Sequence, residues 1–285
     1  GSVSKKVARP FARKQMAKQE VAARGISAAR ACKLFSISKS CWCHEGKNTA
    51  SNELLGKELG RLAAEHPTWG LGLMFLHLRN VQGRKWNHKR VYRVYCKLKL
   101  NLRIKPHQRI QRDKPQPLQT PTKPNAVWSM DFMHDQLNDS RNWRSLNILD
   151  DFNRELLGTE IDFSLPTTRV IKALEQLIEW RGKPAVIRID NGPEYISAEM
   201  KQWAQKQGIA WWFTQPGNPQ QNAYVERFNR TMRYELLNPT IFHSIEQAQE
   251  AATKWQWLYN HQRPNMALGG ITPAQKLEAY YATLH

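Results

Sequence analysis

Apolar positions along this chain follow two different periods, and the change falls near residue 126. Before it the spacing is helical. Residues 25–45 read as helix, short turn and helix, with Ser27 and Ser38 at capping positions and Ala31, Leu34, Ile37 and Trp42 supplying the apolar contacts. Leu54, Leu55, Leu59, Leu62 and Ala63 make one stripe of a second helical group. Val91, Val94, Tyr95 and Leu98 make another, beneath a cap at Asn87. After the change the segments 126–133, 143–152 and 155–163 read as strands, the last two close enough for a hairpin across Asn153 and Arg154. Val170, Ile171, Leu174, Leu177 and Ile178 then mark an amphipathic helix ending at Gly182, followed by a strand at 185–190, a helix at 197–207, a strand at 209–215 and a helix from near Asn222. The order βββαβαβα predicts a mixed α/β sheet of five strands covered by helices. Between the two periods, Pro106, Pro115, Pro117, Pro121 and Pro124 forbid a regular helix, so 104–125 reads as a basic, proline-rich linker.

Charge sharpens the same division. Residues 1–125 hold 27 Lys and Arg against 6 Asp and Glu, a net +21, while the remainder carries −2. A basic half of this size reads as a surface for a polyanion, nucleic acid foremost, because phosphate contacts release counterions and drive affinity. His88, Lys89, Arg90, Arg93 and Lys97 lie opposite the apolar stripe of their helix and read as DNA contacts, as does Lys39 in the helix-turn-helix-like segment. No apolar run approaches the roughly 18 residues of a membrane span, and no signal-peptide pattern opens the chain, so a membrane partner is not expected. Cys32, Cys41, Cys43 and Cys96 lack paired ligand spacing, which indicates neither a disulfide framework nor a structural zinc.

Candidate chemistry concentrates in the second half. Asp131 falls within the first predicted strand, Asp190 at the end of the fourth, and Glu226 in the first turns of the helix after the fifth, with 35 residues between the last two. Asp150 and Asp151, at the end of the second strand, read instead as turn caps that keep a hairpin soluble, and Glu194 as a loop residue. Arg230 and Arg233 follow Glu226 at i+4 and i+7, where cations can grip a phosphate backbone, and Arg227 lies beside them. Trp211 and Trp212 read as core and rim.

These three carboxylates, with "IDNGPEY", "NPQQNAYVERFNRTMR" and "YNHQRPNMALGGITP", resemble the IS3 family of bacterial insertion-sequence transposases, and "RIDNGPEY" is closer to the subgroup typified by IS407 and to integrases than to the wider family. The resemblance covers residues 20–280 and lies with the second reading frame of those frameshifted transposases, since no sustained heptad occurs. It implies a ribonuclease H-like catalytic core of the DDE type, shared with retroviral integrases, with Asp131, Asp190 and Glu226 both catalytic and metal-binding. The expected layout is a cloning scar at 1–2, a helix-turn-helix-like region at 3–50 and a second helical DNA-binding domain at 51–103. The linker at 104–125, the core at 126–240 and a C-terminal helical extension at 241–285 complete it.

The chemistry accounts for the residue types. In-line attack at a phosphodiester needs the phosphate charge neutralised, the attacking hydroxyl activated and the leaving 3′ oxygen stabilised, which two Mg²⁺ or Mn²⁺ ions in oxygen ligands can supply together. The implied function is metal-dependent strand cleavage and strand transfer at the ends of an insertion sequence. The implied partners are double-stranded DNA, as terminal inverted repeats and target, and further copies of the chain, at least a dimer on DNA, in the bacterial cytoplasm at the nucleoid. A ribonuclease H-like nuclease that uses water, and a non-catalytic sequence-specific DNA-binding regulator, are the alternatives.

Overall fold

The computed structural model describes residues 10–44, 49–102, 118–190, 197–214 and 222–284, and the chain divides into two compact units, residues 1–55 and 56–285. Much of the expected linker, Gly192, Pro193, Glu194 and the loop 215–221 lie outside the described residues.

The first unit contains α1 (Pro10–Arg24), α2 (Ala28–Leu34) and α3 (Lys39–Cys43). Ser27 accepts the Arg30 N–H at 3.3 Å and Ser38 accepts the Cys41 N–H at 3.1 Å, so both helices start where the hydroxyl caps placed them. Ala17, Ala31 and Cys32 are buried. Leu34, expected among the apolar contacts, is exposed: α2 spans only two turns, and its buried side is taken by Ala31 and Cys32. α4 (Thr49–Glu65) runs from the first unit into the second.

In the second unit Leu59 and Leu62 of α4 are buried. α5 (Leu71–Leu76) continues directly into a π-helical turn, His77–Val81, and α6 (His88–Lys97) starts beneath Asn87, whose side chain accepts the Lys89 N–H at 2.8 Å. Val91, Val94 and Tyr95 form the buried stripe of α6. Leu54 and Leu98 were expected on the apolar stripes and are exposed, Leu54 one residue off the Leu55–Leu59–Leu62 line and Leu98 past the last turn of α6.

The sheet comprises β1 (Val127–Gln136), β2 (Asn142–Asp150), β3 (Leu156–Asp162), β4 (Val186–Ile189) and β5 (Ala210–Phe213) in the order β3-β2-β1-β4-β5. β1–β2 and β2–β3 are antiparallel, whereas β1–β4 and β4–β5 are parallel. This mixed sheet with helices on both faces is the ribonuclease H-like arrangement. Because side chains alternate across a strand, Trp128 and Met130 of β1 face a core shared with α7 (Thr167–Arg181) and α8 (Ala198–Gln207). Met133 faces the opposite core, built with α9 (Ala223–Met232) and α10 (Ile245–His261). α7 ends at Gly182, whose φ of 87° only glycine adopts readily. A final helix, α11 (Pro273–Ala282), opens with a reciprocal capping box between Thr272 and Gln275.

Candidate active site

The odd-numbered residues of β1 put Asp131 on the face covered by α9. Asp131 pairs across the antiparallel ladder with Asn147 of β2, which in turn pairs with Thr159 of β3. On the other side β1 and β4 run in register with Ser129 opposite Arg188. Asp190 is the first residue past the end of β4, and its charge reaches Asp131. Thr159, Asn147 and Asp131 form one polar row across β3, β2 and β1.

α9 supplies the third carboxylate and a brace. Val225, Phe228 and Met232 anchor the helix, leaving Glu226 exposed in its first turn and Asn229, one turn later, buried beneath it. Thr159 Oγ1 donates to Asn147 Oδ1 at 3.0 Å, Asn147 Nδ2 donates to Asn229 Oδ1 at 2.8 Å, and Asn229 Nδ2 donates to Asp131 Oδ2 at 2.9 Å. The other Asp131 oxygen accepts the Phe132 N–H at 2.9 Å. Every donor in this relay points towards the carboxylate.

Burial pushes the Asp131 carboxyl up to about 6, and the charges of Asp190 and Glu226 push it the same way, against the Phe132 and Asn229 hydrogen bonds. The Glu226 carboxyl is also raised, by burial first and with Asp190 adding to it, while Arg230 opposes. The three carboxylates thus sit within electrostatic reach of one another. Among the described residues no three Asp, Glu, His or Cys side chains are gathered closely enough to enclose an ion. Hard carboxylate oxygens are suited to a divalent cation, which would offset the charges that help to raise Asp131.

One step back along the same face lies a buried ion pair. Arg188 Nη1 meets Asp151 Oδ2 at 2.8 Å with side chains 2% and 0% exposed, and Ser129 Oγ donates to Asp151 Oδ1 at 2.6 Å. The Arg188 guanidinium also lies 4.8 Å from the centre of the Trp212 ring, with Trp212 itself at the rim and Trp211 packed on the core. Asp150 and Asp151 are therefore buried, not the solvated hairpin acids expected from sequence. Asp150 does cap the turn, accepting the Asn125 and Phe152 N–H groups at 2.8 Å each, and burial raises its carboxyl to about 6. Asp151 is raised by burial and held down by Arg188.

Of the expected DNA contacts, Lys39, His88, Lys89, Arg93 and Lys97 are exposed and Arg90 is half-buried. Arg227 and Arg230 are exposed on α9, whereas Arg233 turns onto β1, donating to the His134 carbonyl at 2.6 Å and facing Asp135 at 3.5 Å. Asn229, Asn147 and Arg188 were missed from sequence. Asn229 had a signal, a polar residue on the apolar stripe of an amphipathic helix, and Arg188 another, a lone cation inside the apolar run "AVIRI".

This sheet order, with the helix that carries Glu226 packed over the strand that carries Asp131, is the ribonuclease H-like arrangement. Two models of the integrase core domain match the chain, over residues 121–219 and 207–273. The chain is 34% identical over 258 residues to the insertion element IS407 31.7 kDa protein of Burkholderia multivorans, covering 90% of this chain and 93% of that protein. It is 35% identical over 250 residues to the insertion element IS476 39.2 kDa protein of Xanthomonas euvesicatoria, covering 88% and 72%. Among solved structures it is similar to the HTLV-2 integrase catalytic core domain in complex with magnesium, with a TM-score of 0.43 and 23% identity over 54% of this chain and 97% of that one. The chain belongs to the IS3 family of insertion-sequence transposases. It is a DNA transposase, an enzyme of the DDE polynucleotidyl transferase type.

Proposed function

We propose that this transposase cuts DNA at the ends of its own insertion element and joins the freed 3′ end to target DNA, with Asp131, Asp190 and Glu226 as its catalytic, metal-holding carboxylates. The observation that carries the reading is the Asn229–Asp131 hydrogen bond, which ties the helix of Glu226 to the strand of Asp131, with the charges of Asp190 and Glu226 helping to raise the Asp131 carboxyl. Two Mg²⁺ or Mn²⁺ ions bound by these three residues would neutralise the scissile phosphate and activate the attacking oxygen. Asn229 holds Asp131 from the side of α9, so that the carboxylate keeps one orientation before DNA arrives. Arg227 and Arg230, exposed on the same helix as Glu226, are suited to the phosphates flanking the cut.

Recognition of the terminal repeats falls to the basic half, with Lys39 in the first unit and His88, Lys89, Arg90, Arg93 and Lys97 on α6. Joining two element ends requires at least two copies of the chain on DNA, and the work is done in the bacterial cytoplasm, at the nucleoid. Among the described residues no helix is long and apolar enough to cross a membrane.

The test is an end-joining assay with labelled terminal DNA, unlabelled target DNA and magnesium. Joined product that disappears in chelator is the expected result. Cleavage with release of free ends and no joining would instead make the protein a hydrolytic nuclease, and robust joining in chelator would remove the metal from the account.

A further inference from the structure

We infer that the C-terminal segment 259–275 is a clasp that fixes the helical region 56–102 on the catalytic core, and so builds the distance from α6 to the site of cutting into the chain. This deepens the reading above and rests on it for the roles of α6 and the carboxylates.

Residues 56–102 and the core lie in one compact unit, and the bonds between the π-helical turn and this segment are specific. The side-chain amide of Asn80 donates to the Gly270 carbonyl at 2.7 Å, and Gln275 Nε2 donates to the Asn80 carbonyl at 2.8 Å. One asparagine is thus held at both its backbone and its side chain by positions 190 and 195 residues away. His77, 5% exposed, lies 2.8 Å from the Gln262 carbonyl through Nδ1 and 3.3 Å from Gln82 Nε2 through Nε2. A carbonyl can only accept, so Nδ1 carries a proton in this contact, and burial lowers the pKa of the ring. Gly270 completes the fit. It has a φ of 86°, and a Cβ there would come within 2.6 Å and 2.9 Å of the two Leu76 methyl carbons, so only glycine permits this approach.

The other side of the segment is bonded to the core. Arg263 forks onto Glu235, with contacts of 2.6 and 2.9 Å, in a pair whose side chains are 14% and 6% exposed. Asn153, in the buried turn between β2 and β3, donates to the Pro273 carbonyl at 3.2 Å. Internally the segment is closed by the Asn265–Ile271 bridge and the Thr272–Gln275 capping box. A stretch that is rigid in itself, bonded on one side to the turn after α5 and on the other to the core, transmits the position of one to the other. A π-helical turn at the point of docking also fits this role, since such turns are uncommon and recur at functional positions.

The experiment uses the full chain as wild type, Asn80→Ala and Gly270→Val, with Glu226→Gln as a catalytic control and circular dichroism to confirm folding. Hydrogen exchange over residues 71–81 should rise in Asn80→Ala by about tenfold, the effect of one net hydrogen bond on a local opening. Gly270→Val, which meets both steric and conformational conflict, should raise it further. With terminal DNA and manganese, both variants should still cut, but the cuts should spread from the wild-type phosphodiester to its neighbours. Unchanged exchange in both folded variants would overturn the clasp. Raised exchange with an unchanged cutting position would overturn its role in setting the distance. A wild-type chain that does not cut at all would sink the catalytic reading, and the exchange result would then decide the clasp alone. Should Gly270→Val fail to fold, Asn80→Ala carries both measurements.

Discussion

Asn229 donates to the Asp131 carboxylate at 2.9 Å from a position one helical turn beyond Glu226, so a single buried amide ties the strand that carries one acid to the helix that carries another. Asn147 and Thr159 orient that amide from behind. Replacing Asn229 by Ala should lower cutting by about 10- to 100-fold and weaken metal binding alongside it, the usual effect of removing a residue that orients a metal ligand. Cutting rates measured across a manganese titration check this. Wild-type rates and an unchanged titration midpoint would reduce Asn229 to a packing residue.

The raised Asp131 carboxyl predicts a proton exchange. A cation bound there must displace the proton that burial and its neighbours hold up to about 6, so metal binding should release protons below that value and very few near neutrality and above. Affinity should fall as the pH drops through the same window. In the metal-free chain the folded state holds this proton more firmly than the unfolded chain between the ordinary carboxylate value and about 6. Asp131 therefore favours folding below that window and weighs against it as the pH rises through it, and Asp150 acts likewise. Calorimetric titration with manganese in two buffers of different ionisation heat gives the proton count directly. No difference between the buffers at low pH would contradict the assignment.

Arg188 and Asp151 predict an asymmetric response to mutation. Removing one partner leaves the other charge buried, so Asp151→Ala should cost about 3–5 kcal/mol of stability. The double variant Asp151→Ala, Arg188→Met should recover part of that loss, since neither charge then remains. Denaturant unfolding of the two singles and the double measures the coupling, and strict additivity would mean that the pair does not act as one.

On α6, Arg93 and Lys97 are exposed opposite the buried stripe. If each neutralises one phosphate, Arg93→Ala and Lys97→Ala should each lower the slope of log affinity against log salt by about 0.9. Binding of terminal and random DNA at several salt concentrations checks it. A loss on terminal DNA alone, of about 1–3 kcal/mol, would mark a base contact instead.

The strands and the helices α4, α6 and α7 were legible because their periods are local: the sequence pattern predicted β1 to β3 within a few residues, and hydroxyl caps marked the starts of α2 and α3, whereas α1 was not predicted. The carboxylate spacing was legible through its family resemblance. What escaped depends on pairing across distance. Asp150 and Asp151 look like turn acids until Ser129 and Arg188, 22 and 37 residues from Asp151, close over the second of them. α5 is six residues long, too short to show a period, and the π-helical turn that extends it is fixed by Gly270 and Gln275, far along the chain. Leu34, Leu54 and Leu98 show the converse. Each is apolar at a helical spacing, yet lies off the side that the packed fold covers.

The most direct test of the account compares wild type with Asp131→Asn, Asp190→Asn and Glu226→Gln in cutting of terminal DNA with magnesium, with DNA binding measured on the same samples. Each substitution should abolish cutting while binding stays near wild type, because the three carboxylates serve the chemistry and the basic half serves recognition. Cutting at the wild-type rate by any one of the three would contradict the claim that these residues form the active site.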